Sequence, residues 1–198
     1  MKFQKVLVPI LFFFIIIIVT KNSYSIEPDV FVQSTVNRAS EVLSTEESKD
    51  ERIKKLKSIA TETVDINGIG FYTLGSYRKN LTEEQKKEYL ILFKQYFLKS
   101  FSSRLAEYSN PEIEVHSKKK LNEKYTMVSS TLVATEKRPE VKIDWRVYTA
   151  NPDNPLIRDL IIEGLSLART QKEEFSSIIE SNDGDIETLF ITLKEFIK

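Results

Sequence analysis

The chain has 198 residues, with 29 Lys and Arg against 29 Asp and Glu, one His and no Cys. This balance offers no basic footprint for nucleic acid. The absence of Cys excludes disulfides and a lipoprotein anchor, and a lone His without Cys excludes the usual zinc sites.

Lys2 and Lys5 precede an apolar run over residues 6–19, interrupted only by Pro9. Its fourteen residues suit the hydrophobic part of a secretory signal and fall short of the roughly 20 needed to span a bilayer. Ser23 and Ser25 are small residues at the −3 and −1 positions of a cleavage site. Residues 1–25 therefore read as a cleaved signal peptide, with an uncleaved membrane anchor as the alternative, and 26–198 as a single exported domain. Cleavage removes Lys2, Lys5 and Lys21, leaving 26 basic against 29 acidic residues, net −3. Together with well-formed polar faces, this charge points to a monomer. A domain of this size buries roughly 70% of its unfolded surface.

From Pro28 onward the pattern is helical. Phe31, Thr35, Val36, Ala39, Val42 and Leu43 share one face. Residues 44–51 form a loop or lead into a second amphipathic helix carrying Ile53, Leu56, Ile59, Ala60 and Val64. Residues 65–70, with two glycines, interrupt that helix, and a short apolar turn follows at Phe71, Tyr72 and Leu74. Thr82 and Gln85 form a capping box that opens a helix of about 26 residues, ending before Pro111. Tyr89–Phe93, Tyr96, Phe97, Leu98 and Phe101 make this helix apolar over more than one stripe, so several elements should contact it.

After Pro111 the period changes to two. Ile113 and Val115 begin one strand, residues 125–134 form a second, Val141, Ile143, Trp145 and Val147 mark a third, and residues 156–165 form a fourth. The connections at 118–124 and 136–140 are of hairpin length, which predicts a mostly antiparallel sheet with one covered and one wet face. Two helices close the chain. The first spans residues 170–182 with Phe175, Ile178 and Ile179 inward; the second spans 185–198 with Ile186, Leu189, Phe190, Leu193 and Ile197 inward. The predicted fold class is α+β, with helices packed on a curved, mostly antiparallel sheet of four or slightly more strands.

Catalytic motifs are weak. Gly164-Leu165-Ser166-Leu167-Ala168 lacks the last glycine of a nucleophile elbow, and His116 precedes the serine, whereas the hydrolase order places it after. Gly68, Gly70 and Gly75 have the wrong spacing for a dinucleotide fingerprint. Asp65 and Asp159 adjoin apolar runs and read as a cap or a buried acceptor. The run Lys118-Lys119-Lys120 reads as a solvated hairpin end, with contact to anionic headgroups or an acidic partner as the alternative.

Two blocks carry a family resemblance. The first is Val64-Asp65 through Leu74-Gly75-Ser76-Tyr77-Arg78, then Thr82, Gln85 and Tyr89. The second is Asp159 with Glu163-Gly164-Leu165-Ser166-Leu167 and Phe175. In this order, behind a signal peptide, they resemble the MlaC (toluene-tolerance) family across the whole exported chain. Pro155 stands where the family commonly has Trp, and Lys172 where it often has Arg, which puts strand entry and surface contacts in question.

The resemblance implies a periplasmic phospholipid carrier with an apolar pocket between helices and sheet, and neither catalytic residues nor a cofactor. Its partners would be a diacyl phospholipid, an outer-membrane lipoprotein–porin complex and an inner-membrane ABC transporter bearing a lipid-binding ring. Such a carrier must enclose its cargo, because exposing two acyl chains costs on the order of 20 kcal/mol at about 0.8 kcal/mol per methylene. The pocket candidates are Phe71, Tyr72, Leu74, Tyr89, Phe93, Phe97, Phe101, Val128, Trp145, Val147 and Ile161, although the same apolar stripes equally describe a filled core. The competing expectations are an exported small-molecule enzyme on a cone-shaped α+β fold and a structural envelope protein without ligand.

Overall fold

The computed structural model of the protein describes residues 25–136 and 138–198. Apart from Ser25, the signal peptide read over 1–25 lies outside the described residues. Among the described residues, six α-helices and five strands follow in the order α1 Pro28–Leu43, α2 Lys49–Thr63, α3 Ile66–Thr73, α4 Glu83–Leu105, β1 Ile113–Asn122, β2 Tyr125–Leu132, β3 Val141–Tyr148, β4 Leu156–Ile162, β5 Leu165–Ser166, α5 Leu167–Glu180 and α6 Ile186–Ile197. The strands form one antiparallel sheet in the order β1-β2-β3-β4-β5. The fold is α+β. Among the described residues, no helix is long and apolar enough to cross a membrane.

Local chemistry explains the helix starts. Pro28 occupies the first turn of α1, where its missing N–H costs nothing. The Ser48 hydroxyl caps α2, and Thr82 with Gln85 forms the full capping box of α4. The segment read as an interruption with an apolar turn is in fact α3. Asp65 caps it by accepting from Gly68 N at 2.8 Å. Its glycines are sites of close approach: a Cβ on Gly70 would lie 2.8 Å from the Phe93 ring, and one on Gly68 would lie 2.5 Å from the Arg158 guanidinium. Helix α4 ends at Leu105, slightly shorter than expected, and packs against α2, α3 and α6.

Three features of the sheet and the helix that follows it correct the sequence reading. Strand β1 runs through Lys118–Lys120, and its hairpin is only the two residues between Asn122 and Tyr125. Lys118 pairs with Glu27 and with Asp29 (2.7 Å), tying β1 to the start of α1. The run expected as a single fourth strand is a hairpin: Glu163 and Gly164 both adopt positive φ (49° and 82°) and turn β4 into β5. A two-residue loop with both residues left-handed matches the twist of the flanking strands. Finally, α5 begins at Leu167, immediately after β5, and not at Thr170.

The main core lies between the sheet and the helices, with Val128, Trp145, Val147 and Ile157 from the strands meeting Leu74, Tyr89, Phe93, Phe175, Phe190 and Leu193 from the helices. A smaller cluster of Leu43, Leu56 and Ala106 joins α1, α2 and the end of α4. Val64 bridges Ile157, and Asp65 N donates to Ile157 O at 2.9 Å, which lays α3 against β4.

Candidate functional site

Helix α4 changes character along its length. In its first half, Tyr89 is fully buried and stacks with Phe93 (5.8 Å) and Phe190 (6.1 Å). Its hydroxyl lies 2.8 Å from Thr73 Oγ1. The one Thr73 hydroxyl proton goes to Gly70 O (2.8 Å), so Tyr89 is the donor. Burial pushes the Tyr89 phenol far above its ordinary range. Phe93 meets Phe175 edge-on at 6.2 Å and is itself buried. One turn further on, Tyr96, Phe97, Ser100 and Phe101 are only half-buried.

That second half borders a cavity of about 200 Å³. Helix α4 contributes Phe93, Tyr96, Phe97, Ser100, Phe101 and Arg104. The sheet and the crossing before α3 contribute Val64, Trp145, Ile157, Asp159 and Leu160, while Ile69 comes from α3. Helix α5 closes the space with Leu167, Ala168, Thr170, Gln171 and Glu174. The interior is aromatic and aliphatic, and the polar groups of α4 and α5 gather at one rim. There Tyr96 donates to Gln171 Oε1 at 2.9 Å; partial burial, with Glu174 nearby, raises its phenol above the ordinary value. Phe97 and Phe101 stack at 5.4 Å with an interplanar angle of 11°, forming a continuous flat wall.

The two most deeply placed polar groups of the lining, the Trp145 indole and the Asp159 carboxylate, are internally satisfied. Trp145 Nε1 donates to Ser130 Oγ (2.8 Å), which in turn donates to Ile143 O (3.1 Å), so the indole offers the cavity only its ring. Asp159 is buried among its partners. Oδ1 accepts from Ala168 N at 3.0 Å, Oδ2 accepts from Ser166 Oγ at 2.6 Å, and Arg146 Nη1 lies 3.5 Å from Oδ2. Ser166 also caps α5, accepting from Arg169 N at 3.1 Å. Its hydroxyl is thus committed as both donor and acceptor, which explains why the elbow-like sequence is a hairpin followed by a cap. His116 bonds Thr131 on the exposed face of β1 and β2. Among the described residues, no group of three or more His, Asp or Glu is placed to hold a metal ion.

Of the eleven pocket candidates, Phe93, Phe97, Phe101 and Trp145 border the cavity. Leu74, Tyr89, Val128 and Val147 are buried in packed core away from it, and Phe71 and Ile161 are half-buried without lining it. Tyr72 is exposed and faces a neighbouring cleft. The sequence reading did not place Tyr96, Leu160 or the α5 residues Leu167, Ala168 and Gln171 among the pocket candidates. On α4 the signal was present, since Phe93, Phe97 and Ser100 extend to Arg104 at helical spacing. On α5 it was hidden by placing the helix start three residues late.

No curated protein matches the chain. Among solved structures, it is similar to a phospholipid-binding protein from Ralstonia solanacearum determined in complex with a phospholipid. The TM-score is 0.73 at 19% identity, covering 87% of this chain and 97% of that one. At that identity the likeness establishes the shared fold. The family model described as MlaC protein matches residues 33–195, from α1 to within α6. The chain belongs to the MlaC family.

Proposed function

We propose that this protein is a phospholipid-binding carrier, not an enzyme, and that it takes the acyl tails of its cargo into the cavity between α4, α5 and the sheet. The observation that carries this reading is the character of the cavity: an aromatic wall of Phe93, Phe97, Phe101 and Trp145, with the buried Asp159 already saturated by hydrogen bonds from Ser166 and Ala168. A catalytic pocket needs titratable groups free to exchange protons with a substrate. Here the buried carboxylate of Asp159 and the Trp145 indole N–H that face the cavity have fixed partners. The family membership and the lipid-bound relative of the same fold support the same conclusion.

At about 200 Å³ the cavity is smaller than the roughly 300–1,000 Å³ of a typical ligand pocket. Loading therefore requires the second half of α4 to move away from α5, and the half-buried Tyr96, Phe97 and Phe101 are the contacts that would loosen. A signal over residues 1–25 would deliver the chain to the periplasm as a monomer. There it would shuttle lipid between an outer-membrane lipoprotein–porin complex and an inner-membrane ABC transporter with a lipid-binding ring, maintaining lipid asymmetry.

Purification without detergent followed by native mass spectrometry tests the binding role. Co-purifying diacyl phospholipid is expected in the wild type. Phe97→Asp places a carboxylate on the half-buried wall, where a fold can tolerate it, and should abolish retention. Phe93 is a poor site for this test because its burial would confuse unfolding with loss of cargo. A folded Phe97→Asp protein with full lipid occupancy would refute the cavity assignment, and a lipid-free wild type that takes up no phospholipid from vesicles would refute the carrier role.

A further inference from the structure

Behind the cavity, separated from it by Ile69 and Ala168, which border both, is a cleft of about 390 Å³. We propose that this cleft is a phosphoryl-anion subsite centred on Arg146 and Arg158. The group it takes is a phosphate monoester or diester, either the headgroup of a bound phospholipid or a free phosphate.

Three observations carry the assignment. First, the residues lining the cleft include both arginines and no Asp or Glu. Each arginine is paired with an acid that is not itself a lining residue. Arg146 Nη1 is 3.5 Å from Asp159, whose oxygens already accept shorter bonds from Ser166 and Ala168. Arg158 Nε pairs with Asp65. A guanidinium has five N–H donors, so each arginine keeps donors beyond those its partner uses.

Second, the remaining polar groups of the cleft are also donors. Tyr125 accepts from Arg158 Nη1 at 3.3 Å, which leaves its own O–H to donate. Asn122 Oδ1 already accepts from Lys124 N and Tyr125 N, so its amide NH₂ is the group left over. Two guanidiniums, each paired with one carboxylate yet keeping further donors, together with a phenol and an amide, match the acceptor oxygens of a phosphoryl group, for which Arg offers a planar fork.

Third, the backbone is shaped around the arginines. The register shift between Arg146 and Val147 leaves Arg158 as the extra residue of β4, a bulge of the kind that re-aims a side chain. Arg158 then lies 4.8 Å over the Tyr148 ring and beside Gly68, where any Cβ would collide with its guanidinium.

The lipid source rests on the proposed carrier role, whereas the anion site itself does not. The test uses the exported protein stripped of lipid. Arginine Nε–H resonances are followed by NMR during titration with sodium phosphate and with sn-glycerol 3-phosphate, against sodium chloride at equal ionic strength. Both arginine signals should shift with the phosphates alone, and Arg146→Gln should weaken the response about tenfold or more. Tyr125→Phe, which keeps the fork and removes one donor, should weaken it less and serves if Arg146→Gln does not fold. Retention of a phospholipid is then compared with retention of the diacylglycerol bearing the same tails. Selective loss of the phospholipid in Arg146→Gln identifies the headgroup as the source. Phosphate-specific shifts with unchanged phospholipid retention identify free phosphate. Shifts no larger than those from chloride, together with equal losses of both lipids or of neither, would overturn the subsite. A wild type that retains neither lipid yet responds to phosphate counts against the carrier role alone.

Discussion

The two halves of α4 carry the same kind of residue and meet opposite fates. Tyr89 is sealed among Thr73, Phe93 and Phe190 with its hydroxyl matched, and the buried Phe93 closes the near end of the cavity, whereas Phe97 and Phe101 stack on each other along the open space. The difference arises from the opposing elements. Against the first half, Gly70 of α3 allows contact with the Phe93 ring that no larger residue would permit. Against the second half stand strands bearing Trp145, Ile157 and Leu160 and the first turns of α5, too far away to fill the gap. An aromatic stripe is thus core or cavity wall according to what approaches it.

Mutations can break this comparison. The largest effect is expected for Phe93→Ala, which should lower unfolding stability by about 3–5 kcal/mol, measured by urea denaturation, because it removes a buried ring packed on Tyr89 and Phe175 and enlarges the space it borders. A loss below about 1 kcal/mol would mean that the first half is not closed.

Alkaline pH provides the next test. The folded protein holds the Tyr89 phenol above the 10.0 of an unfolded tyrosine. Its contribution is therefore complete below pH 10, and stability falls as pH rises above that value, because the unfolded chain loses its proton first. One such group contributes a slope of up to about 1.4 kcal/mol per pH unit. Thermal melts between pH 9.5 and 11.5 should show a shallower decline in Tyr89→Phe than in the wild type. Tyr96→Phe, at the rim, should change the slope less. Equal slopes in the two variants would erase the distinction between the halves.

Phe101→Ala should cost only about 1–2 kcal/mol, since its ring already borders empty space. A double-mutant cycle with Phe97→Ala should return a coupling of about 0.5–1.5 kcal/mol from the stacked pair. Under the proposed carrier role, these variants should lose lipid out of proportion to their loss of stability. The smallest effect is expected for Thr82→Ala, about 1 kcal/mol from the capping box, with no change in lipid retention.

Much of the architecture was legible before the structure. The capping box, Pro28 and the alternation of Val141–Tyr148 are local signals and led to the right elements. Helix α3 was missed because Gly68 and Gly70 each cost about 1 kcal/mol in helix propensity. Their value lies in contacts with Phe93 and Arg158, residues distant in sequence. The strand at Lys118–Lys120 was missed because a charged run on an edge strand has no buried face to produce a pattern, and such charges are common at exposed edges. The β4–β5 hairpin was read through because Glu at a left-handed position is an uncommon turn residue.

By itself, the sequence determined the fold class, the family resemblance and the existence of one aromatic helix contacted on several sides, because periodicity, caps and ordered motifs are properties of the chain. Only the tertiary structure decided which aromatic rings border a cavity, that Ser166 and Asp159 are committed to each other, and that Arg146 and Arg158 share a cleft. A cavity is the absence of atoms between elements far apart in sequence. No local pattern encodes a gap whose walls are set by where α3, α5 and a bulged strand come to rest.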